Sequence, residues 1–278
     1  MHRLVVRPTR RACSAHRPPV RVLVACALTI GAVLLPSGGV QAQSPDVPVI
    51  AAAADLNAAL PEIVKRFTST TGKMVKLSFG SSGAFTQQIA NGAPFEVLLS
   101  ADESYVQRLV ALGLTDGGGA LYAIGRIGLF LPNGSRMVAD SLLRGVGSAL
   151  SNGSLQKFAI ANPVHAPYGR AAQQALQRLG LWRAVQPHLV FGENAAQATQ
   201  FATSGSAQGG IIPLSLAYTA QVKAAGSFTL LDDTLHDPLR QRAVLLKRAR
   251  ATARAFYAFL QSPDARAIFQ RYGFLLPP

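Results

Sequence analysis

From Val47 onward the chain alternates short apolar runs with amphipathic stretches at helical spacing, and small residues mark most passages from one to the other. Repetition of this kind leaves few folds open: the apolar runs must lie in sheets whose faces the helices cover, the α/β arrangement. Residues 47–54 form a continuous apolar run suited to a buried strand. Leu56, Leu60, Ile63, Val64 and Phe67 then share one helix face, with Asp55 placed to cap that helix and Gly72 to end it. Further strands are expected at 74–79, 95–99, 122–131, 157–161, 188–191, 210–212 and 242–246. Helices are expected at 84–91, from Ser100 or Asp102 to Gly113, at 169–179, from Asn194 to Ser204, and at 215–224, 249–260 and 263–272. Gly117-Gly118-Gly119 reads as a loop near a domain border. No short repeat recurs at a fixed period, which argues against a solenoid.

The first 42 residues do not fit this pattern. They hold Arg3, Arg7, Arg10, Arg11, Arg17 and Arg21 and no acidic residue, then the apolar run 22–35, then Val40-Gln41-Ala42. A basic start, a short apolar centre and small residues at a cut site make a secretory signal peptide, expected to be cleaved after Ala42. The apolar run falls short of the ~20 residues that span a bilayer. Arg10-Arg11 leaves twin-arginine export open, and Leu23-Val24-Ala25-Cys26 resembles a lipoprotein box. A cut before Cys26 would leave apolar residues 27–35 on the mature chain, so lipid anchoring is disfavoured.

Of 27 basic and 13 acidic residues, the leader holds six arginines, leaving 21 against 13, or about +8 on the mature chain. The remaining basic residues are scattered, as in Arg240, Arg242, Lys247, Arg248, Arg250 and Arg254, and few aromatics accompany them, so nucleic acid is not an expected partner. Cys13 and Cys26 both lie in the leader, so the mature chain has no disulfide, thiolate metal site or cysteine nucleophile.

Three junctions share one design, a strand followed by small residues and then a helix: Ala53-Ala54-Asp55, Gly80-Ser81-Ser82-Gly83 and Glu193-Asn194-Ala195. His165-Ala166-Pro167-Tyr168-Gly169 also precedes a helix. The first amides of a helix have no internal acceptor and sit at the positive end of its dipole, so they bind anions without a lysine or arginine. Small side chains let a ligand approach those amides. Each junction alone is equally well read as ordinary capping or packing; their number is what favours an anion site.

The stretch Ala51-Ala52-Ala53-Ala54-Asp55-Leu56, with Phe79-Gly80-Ser81-Ser82-Gly83, Asn91-Gly92-Ala93-Pro94-Phe95 and Ser100-Ala101-Asp102, resembles the periplasmic molybdate-binding proteins. The resemblance continues through Ala161-Asn162-Pro163, Pro167-Tyr168-Gly169, Gly192-Glu193-Asn194 and Ile268-Phe269-Gln270-Arg271-Tyr272-Gly273-Phe274, and so covers essentially the whole mature chain in order. It implies a two-lobed periplasmic-binding-protein fold of type II, each lobe a mixed sheet flanked by helices, with two hinge crossings. Lobe one would be 45–121 plus 239–278 and lobe two 122–238. It also implies a monomer that binds molybdate or tungstate in the cleft and delivers it to the permease and ATPase of an ABC importer. No cofactor and no cation site is implied, molybdenum being bound as its oxyanion.

Carried over position by position, Ser82 matches a hydroxyl donor and Ala195 a small residue donating its backbone amide. Ala54 and Asp55 fall where relatives carry other small polar residues, and the amide of either is expected to donate. A carboxylate beside a dianion repels it, so Asp55 is expected to cap the helix with its side chain turned aside. The sharper alternative is that it accepts a hydrogen bond from a protonated oxyanion. Many relatives place a tyrosine where Pro213 stands, and Tyr168 resembles the branch that supplies its tyrosine from another loop.

A sulfate- or phosphate-type oxyanion-binding protein is the nearest rival within the binding class. An exported α/β-hydrolase-like enzyme is the rival from another class. Gly80-Ser81-Ser82-Gly83-Ala84 fails the nucleophile pattern G-x-S-x-G, and Thr71-Gly72-Lys73 lacks the rest of a phosphate loop. His165, His188 and His236 are widely spaced and are expected at the surface or in loops.

Overall fold

The computed structural model describes residues 47–277, so the leader, its cleavage site, Cys13 and Cys26 lie outside the described residues. The described chain forms two five-stranded mixed sheets, each flanked by helices. In the first, β1 (Val49–Ala53) lies parallel to β2 (Lys76–Gly80) and to β3 (Val97–Ser100). In the second, β5 (Ile127–Pro132) is antiparallel to its neighbours, while β6 (Phe158–Ala161) lies parallel to β7 (Leu189–Gly192) and β8 (Gly210–Pro213). The remaining strands are β4 (Thr115–Gly125), β9 (Gly226–Leu230) and β10 (Leu239–Leu246). The spatial orders are β2-β1-β3-β10-β4 and β7-β6-β8-β5-β9.

Alternation along the strands explains how each sheet is covered. Ile50, Ala52, Val97, Leu99 and Ala243 face α1 (Ala59–Thr71), α10 (Ala251–Phe259) and α11 (Pro263–Arg271). Ala51, Leu98 and Val244 point the other way, toward α2 (Ser82–Ala90) and α3 (Glu103–Ala111). In the second sheet Leu129, Phe158 and Ile160 meet α4 (Arg144–Ser151), α5 (Pro167–Arg178) and α6 (Trp182–Val185). Phe130, Ala159 and Ile212 meet α7 (Ala195–Thr203), α8 (Leu214–Ala217) and α9 (Ala220–Ala225). Strands buried on both faces read as continuous apolar runs, which is why the sequence pattern found most of them.

The chain passes between the sheets twice. Arg126 alone separates β4 from β5, and residues 231–238 separate β9 from β10. The single strand expected at 122–131 is therefore two, broken where the pairing partner changes from β10 to β8 and β9. First-sheet pairing continues as far as Gly125, where Leu239 is its partner. Gly117, Gly118 and Gly119, expected as a loop, lie inside β4 and run beside β10 through two register shifts. At Gly119 (φ 70°) a Cβ would stand 2.2 Å from the carbonyl oxygen of Ala243, so glycine is required by strand contact rather than by a turn. The helix expected at 215–224 is split into α8 and α9 by Tyr218 and Thr219, Thr219 capping the second. His236, expected at the surface or in a loop, lies in the connection 231–238 but is 3% exposed.

Candidate functional site

The parallel strands β1, β2, β3, β6 and β7 end around one small cavity, as ligand sites in open α/β sheets do. It encloses about 180 Å³ of atom-free space, part of it open to solvent. Both sheets contribute: Ala54 and Asp55 after β1, Ser81 and Ser82 after β2, Ala101 after β3, Tyr168 after β6 and Ala195 after β7. All five positions singled out from the sequence, Ala54, Asp55, Ser82, Tyr168 and Ala195, line it. Pro213 does not. A far larger hollow, about 1680 Å³ including space open to solvent, lies around residues 132–154 and Gln208 and contains none of the five positions.

The donors at the cavity are local products of helix starts. Helix α2 begins at Ser82 with Ser81 as its cap, the Ser81 hydroxyl accepting from the Ala84 amide at 3.3 Å. Helix α7 begins at Ala195 behind Asn194, whose side chain accepts from the Gln197 amide at 3.0 Å. Helix α5 begins at Pro167, which has no N–H to leave unpaired, so Tyr168 carries its first free amide. Three helix N-termini thus present first-turn amides without helical acceptors. Ser82 is fully buried, and its oxygen accepts from the Ala101 amide at 2.9 Å. Its own hydroxyl proton has no acceptor among the described residues and is free for a ligand. No lysine or arginine lines the cavity.

Asp55 departs from its expected role. A 3-10 turn covers Ala54–Leu56, no side chain caps it, and α1 starts only at Ala59. The Asp55 carboxyl turns inward and is fully buried. Its Oδ2 accepts from the Tyr168 hydroxyl at 3.0 Å and from Gln241 Nε2 at 2.7 Å, and its main-chain oxygen accepts from Ser215 at 2.8 Å. Tyr122 donates to Gln241 Oε1 at 2.7 Å, which fixes the orientation of that amide. These long-range partners, rather than the helix start, hold the side chain. Oδ1 is buried without a partner. Burial pushes the Asp55 carboxyl up from 3.8 to about 6, against opposing hydrogen bonds from Gln241, Tyr168 and its own backbone. Burial, and then the Asp55 charge, push the hydroxyls of Tyr168 and Tyr122 well above their usual value.

Tyr168 therefore reaches the cavity differently from the sequence expectation. Its hydroxyl proton goes to Asp55, and the same oxygen accepts from Gln241 Nε2 at 3.0 Å. Gly125 makes room for it, since a Cβ there would stand 2.2 Å from that oxygen. Gln241 and Tyr122 were not singled out from the sequence. The available signal was weak: Gln241 stands between Arg240 and Arg242, just before the strand expected at 242–246, and only strand alternation turns it inward.

A second set of contacts joins the two sheet layers beside the cavity. The Gly83 amide donates to the His165 carbonyl at 2.9 Å, and the Ser81 hydroxyl lies 2.9 Å from His165 Nδ1. A Cβ on Gly83 would stand 2.7 Å from that carbonyl oxygen. Arg170 on α5 pairs with Asp102 before α3 and lies 5.2 Å from the centre of the Tyr105 ring. Among the described residues no group of three or more His, Cys, Asp or Glu could hold a metal ion, and no helix is long and apolar enough to cross a membrane.

The family described as "Bacterial extracellular solute-binding protein" matches residues 48–275. The chain is 38% identical over 231 residues to the molybdate-binding protein ModA of Rhodobacter capsulatus, covering 82% of this chain and 87% of that protein. It is 30% identical over 228 residues to ModA of Escherichia coli K12, covering 81% and 87%. The solved structure of the Azotobacter vinelandii periplasmic molybdate-binding protein superposes with a TM-score of 0.74 at 32% identity, covering 83% of this chain and 100% of that one.

Proposed function

The chain belongs to the bacterial extracellular solute-binding proteins, among their molybdate-binding members, and from that membership we propose that it captures molybdate and delivers it to an ABC importer. Ala54, Asp55, Ser82, Tyr168 and Ala195 are the proposed ligand-binding residues. One observation carries the reading: three helix N-termini and the free Ser82 hydroxyl converge on a cavity that no lysine or arginine lines. Neutral donors of this kind suit a compact dianion, because each amide contributes partial charge and direction without a mobile side chain. A sulfate ion has the same shape and charge but is smaller. A cavity sized for molybdate leaves some donors unpaired around sulfate, at ~1–3 kcal/mol for each buried group. Tungstate, alike in shape and charge, is the expected second ligand.

The two sheets are the cores of two proposed lobes. Because first-sheet pairing runs on to Gly125, the first crossing is proposed at Arg126 rather than at the 121/122 boundary expected from the sequence, and the second at residues 231–238. Solute-binding proteins of this architecture close about their ligand by hinge bending, and the closed form is what a permease recognises. The protein is proposed to work in the periplasm as a monomer, exported by the leader 1–42. Its partners are the permease and ATPase of the importer.

An enzymatic reading has one point of support, the row Ser81–His165–Glu193. The Ser81 oxygen already caps α2, and Glu193 stands 3.5 Å from His165 Nε2 with 75% of its side chain exposed. A relay needs a buried carboxylate holding the base, so this row is better read as a contact across the cleft and the protein as a non-enzyme.

Thermal unfolding of residues 43–278 with each oxyanion tests the proposal. Molybdate at about 100 times Kd adds ~2.7 kcal/mol, a shift of roughly 5–10 °C for a chain of this size. No shift with any tetrahedral oxyanion would remove the anion-site reading.

A further inference from the structure

Resting on the oxyanion reading above, we infer that Asp55 is a proton-gated ligand group: the occupied site holds one proton on Oδ1, which donates a hydrogen bond to an oxygen of the bound dianion. Capture of the anion at neutral or alkaline pH then takes up one proton from solvent.

Three observations lead there. Asp55 lines the cavity and is fully buried, yet its Oδ1 has no partner. Its other oxygen is already an acceptor twice over, from Tyr168 and from Gln241. Tyr122 holds the Gln241 amide in that orientation, so Oδ2 cannot exchange roles with Oδ1. A neutral carboxyl placed here must therefore carry its proton on Oδ1, the oxygen left for the ligand. Without that proton an unpaired carboxylate oxygen and an oxyanion oxygen, both acceptors, would face each other with no donor between them.

The surroundings leave Asp55 as the group that titrates. The titratable side chains facing it are the phenols of Tyr168 on α5 and Tyr122 on β4, both held neutral by burial. Strand β10 presents the amide of Gln241, α8 presents Ser215, and α2 presents Ser82, none of which ionises near neutrality. No lysine, arginine or histidine among the described residues hydrogen-bonds or ion-pairs with the carboxyl. His165 is the other titratable group at the cavity edge, and it contacts Ser81 and Glu193 instead. Burial places the free protein's Asp55 carboxyl at about 6, so it is largely ionised at pH 8 and must gain its proton on binding.

The test is calorimetric titration of residues 43–278 with sodium molybdate across pH 5.5–8.5, repeated in buffers of different ionisation enthalpy. The expected result is uptake of about a quarter of a proton per anion at pH 5.5, rising toward one at the alkaline end. Affinity falls about tenfold per pH unit above about pH 6.5. In D55N both dependences vanish, because an amide offers its N–H at every pH. Tight binding with no proton uptake at pH 8, or a D55N variant with the wild-type pH slope, overturns the inference. A failure of molybdate to bind at any pH instead overturns the oxyanion reading on which the inference rests.

Discussion

The hydroxyl of Tyr168, on the first turn of α5, donates across 3.0 Å to Oδ2 of Asp55, in the turn that follows β1. The two residues belong to different sheet layers and lie 113 positions apart. Gln241, from β10, bonds both atoms of this contact, so closure around the cavity and orientation of the Asp55 carboxyl are one arrangement.

Removing the Tyr168 hydroxyl tests that coupling. Tyr168→Phe is expected to weaken molybdate binding by about tenfold or less, the size of one hydrogen bond lost at ~1 kcal/mol. The bond from Tyr168 lowers the Asp55 carboxyl, so its loss raises that group further. The alkaline fall in affinity should then begin at a higher pH than in the wild type. Titrations at three or more pH values read both effects, and unchanged affinity with an unchanged profile would show that the contact does not bear on binding.

Ser82 offers a more direct loss. Its oxygen is fixed by the Ala101 amide and its proton is free, so Ser82→Ala removes a preset donor to a charged ligand. Such bonds contribute ~1.5–3 kcal/mol, which corresponds to a roughly 10- to 150-fold weaker Kd. Circular dichroism would show the fold retained. An affinity within twofold of wild type would exclude Ser82 from contact with the ligand.

The junctions that carry Ser82 and Ala195 were legible because a helix start has a local signature: a cap such as Ser81 or Asn194, then small residues. The role of Asp55 was not. An aspartate before an amphipathic stretch reads as a cap, whereas Tyr168, Ser215 and Gln241, which decide its conformation, stand 113, 160 and 186 residues away. The glycine run 117–119 misled for a similar reason, since glycine favours loops locally but here admits the close approach of β10. Strand β9 has too few apolar residues to stand out and is defined by pairing with β5.

The pH dependence of the ligand-free protein follows from Asp55 with a definite sign. Its carboxyl rises from 3.8 to about 6 on folding, so the group leaves stability intact at low pH and diminishes it as pH rises through about 6. About two pH units correspond to ~3 kcal/mol. Ligand-free Asp55→Asn is therefore expected to be more stable than wild type at pH 8, by roughly 2–3 kcal/mol, with the gap closing toward pH 4. Urea unfolding at both pH values measures it, and a gap independent of pH would contradict the account.

The contacts that join the two layers should govern release. Arg170→Ala removes the pair with Asp102 at a partly exposed site, where such pairs contribute up to ~1 kcal/mol. A few-fold faster dissociation is expected, with little change in association. Gly83→Ala is expected to be more severe, because its Cβ would press on the His165 backbone at 2.7 Å. Stopped-flow measurement of both variants would show that order, and the reverse order would locate closure elsewhere.

Calorimetric titration of residues 43–278 with molybdate, tungstate, sulfate and phosphate at pH 6 tests the central claim most directly. The account predicts one-to-one binding of molybdate, similar binding of tungstate, and sulfate and phosphate weaker by at least about thirtyfold, as two or more unpaired donors at ~1–3 kcal/mol each would give. Tight binding of sulfate or phosphate in preference to molybdate would contradict it.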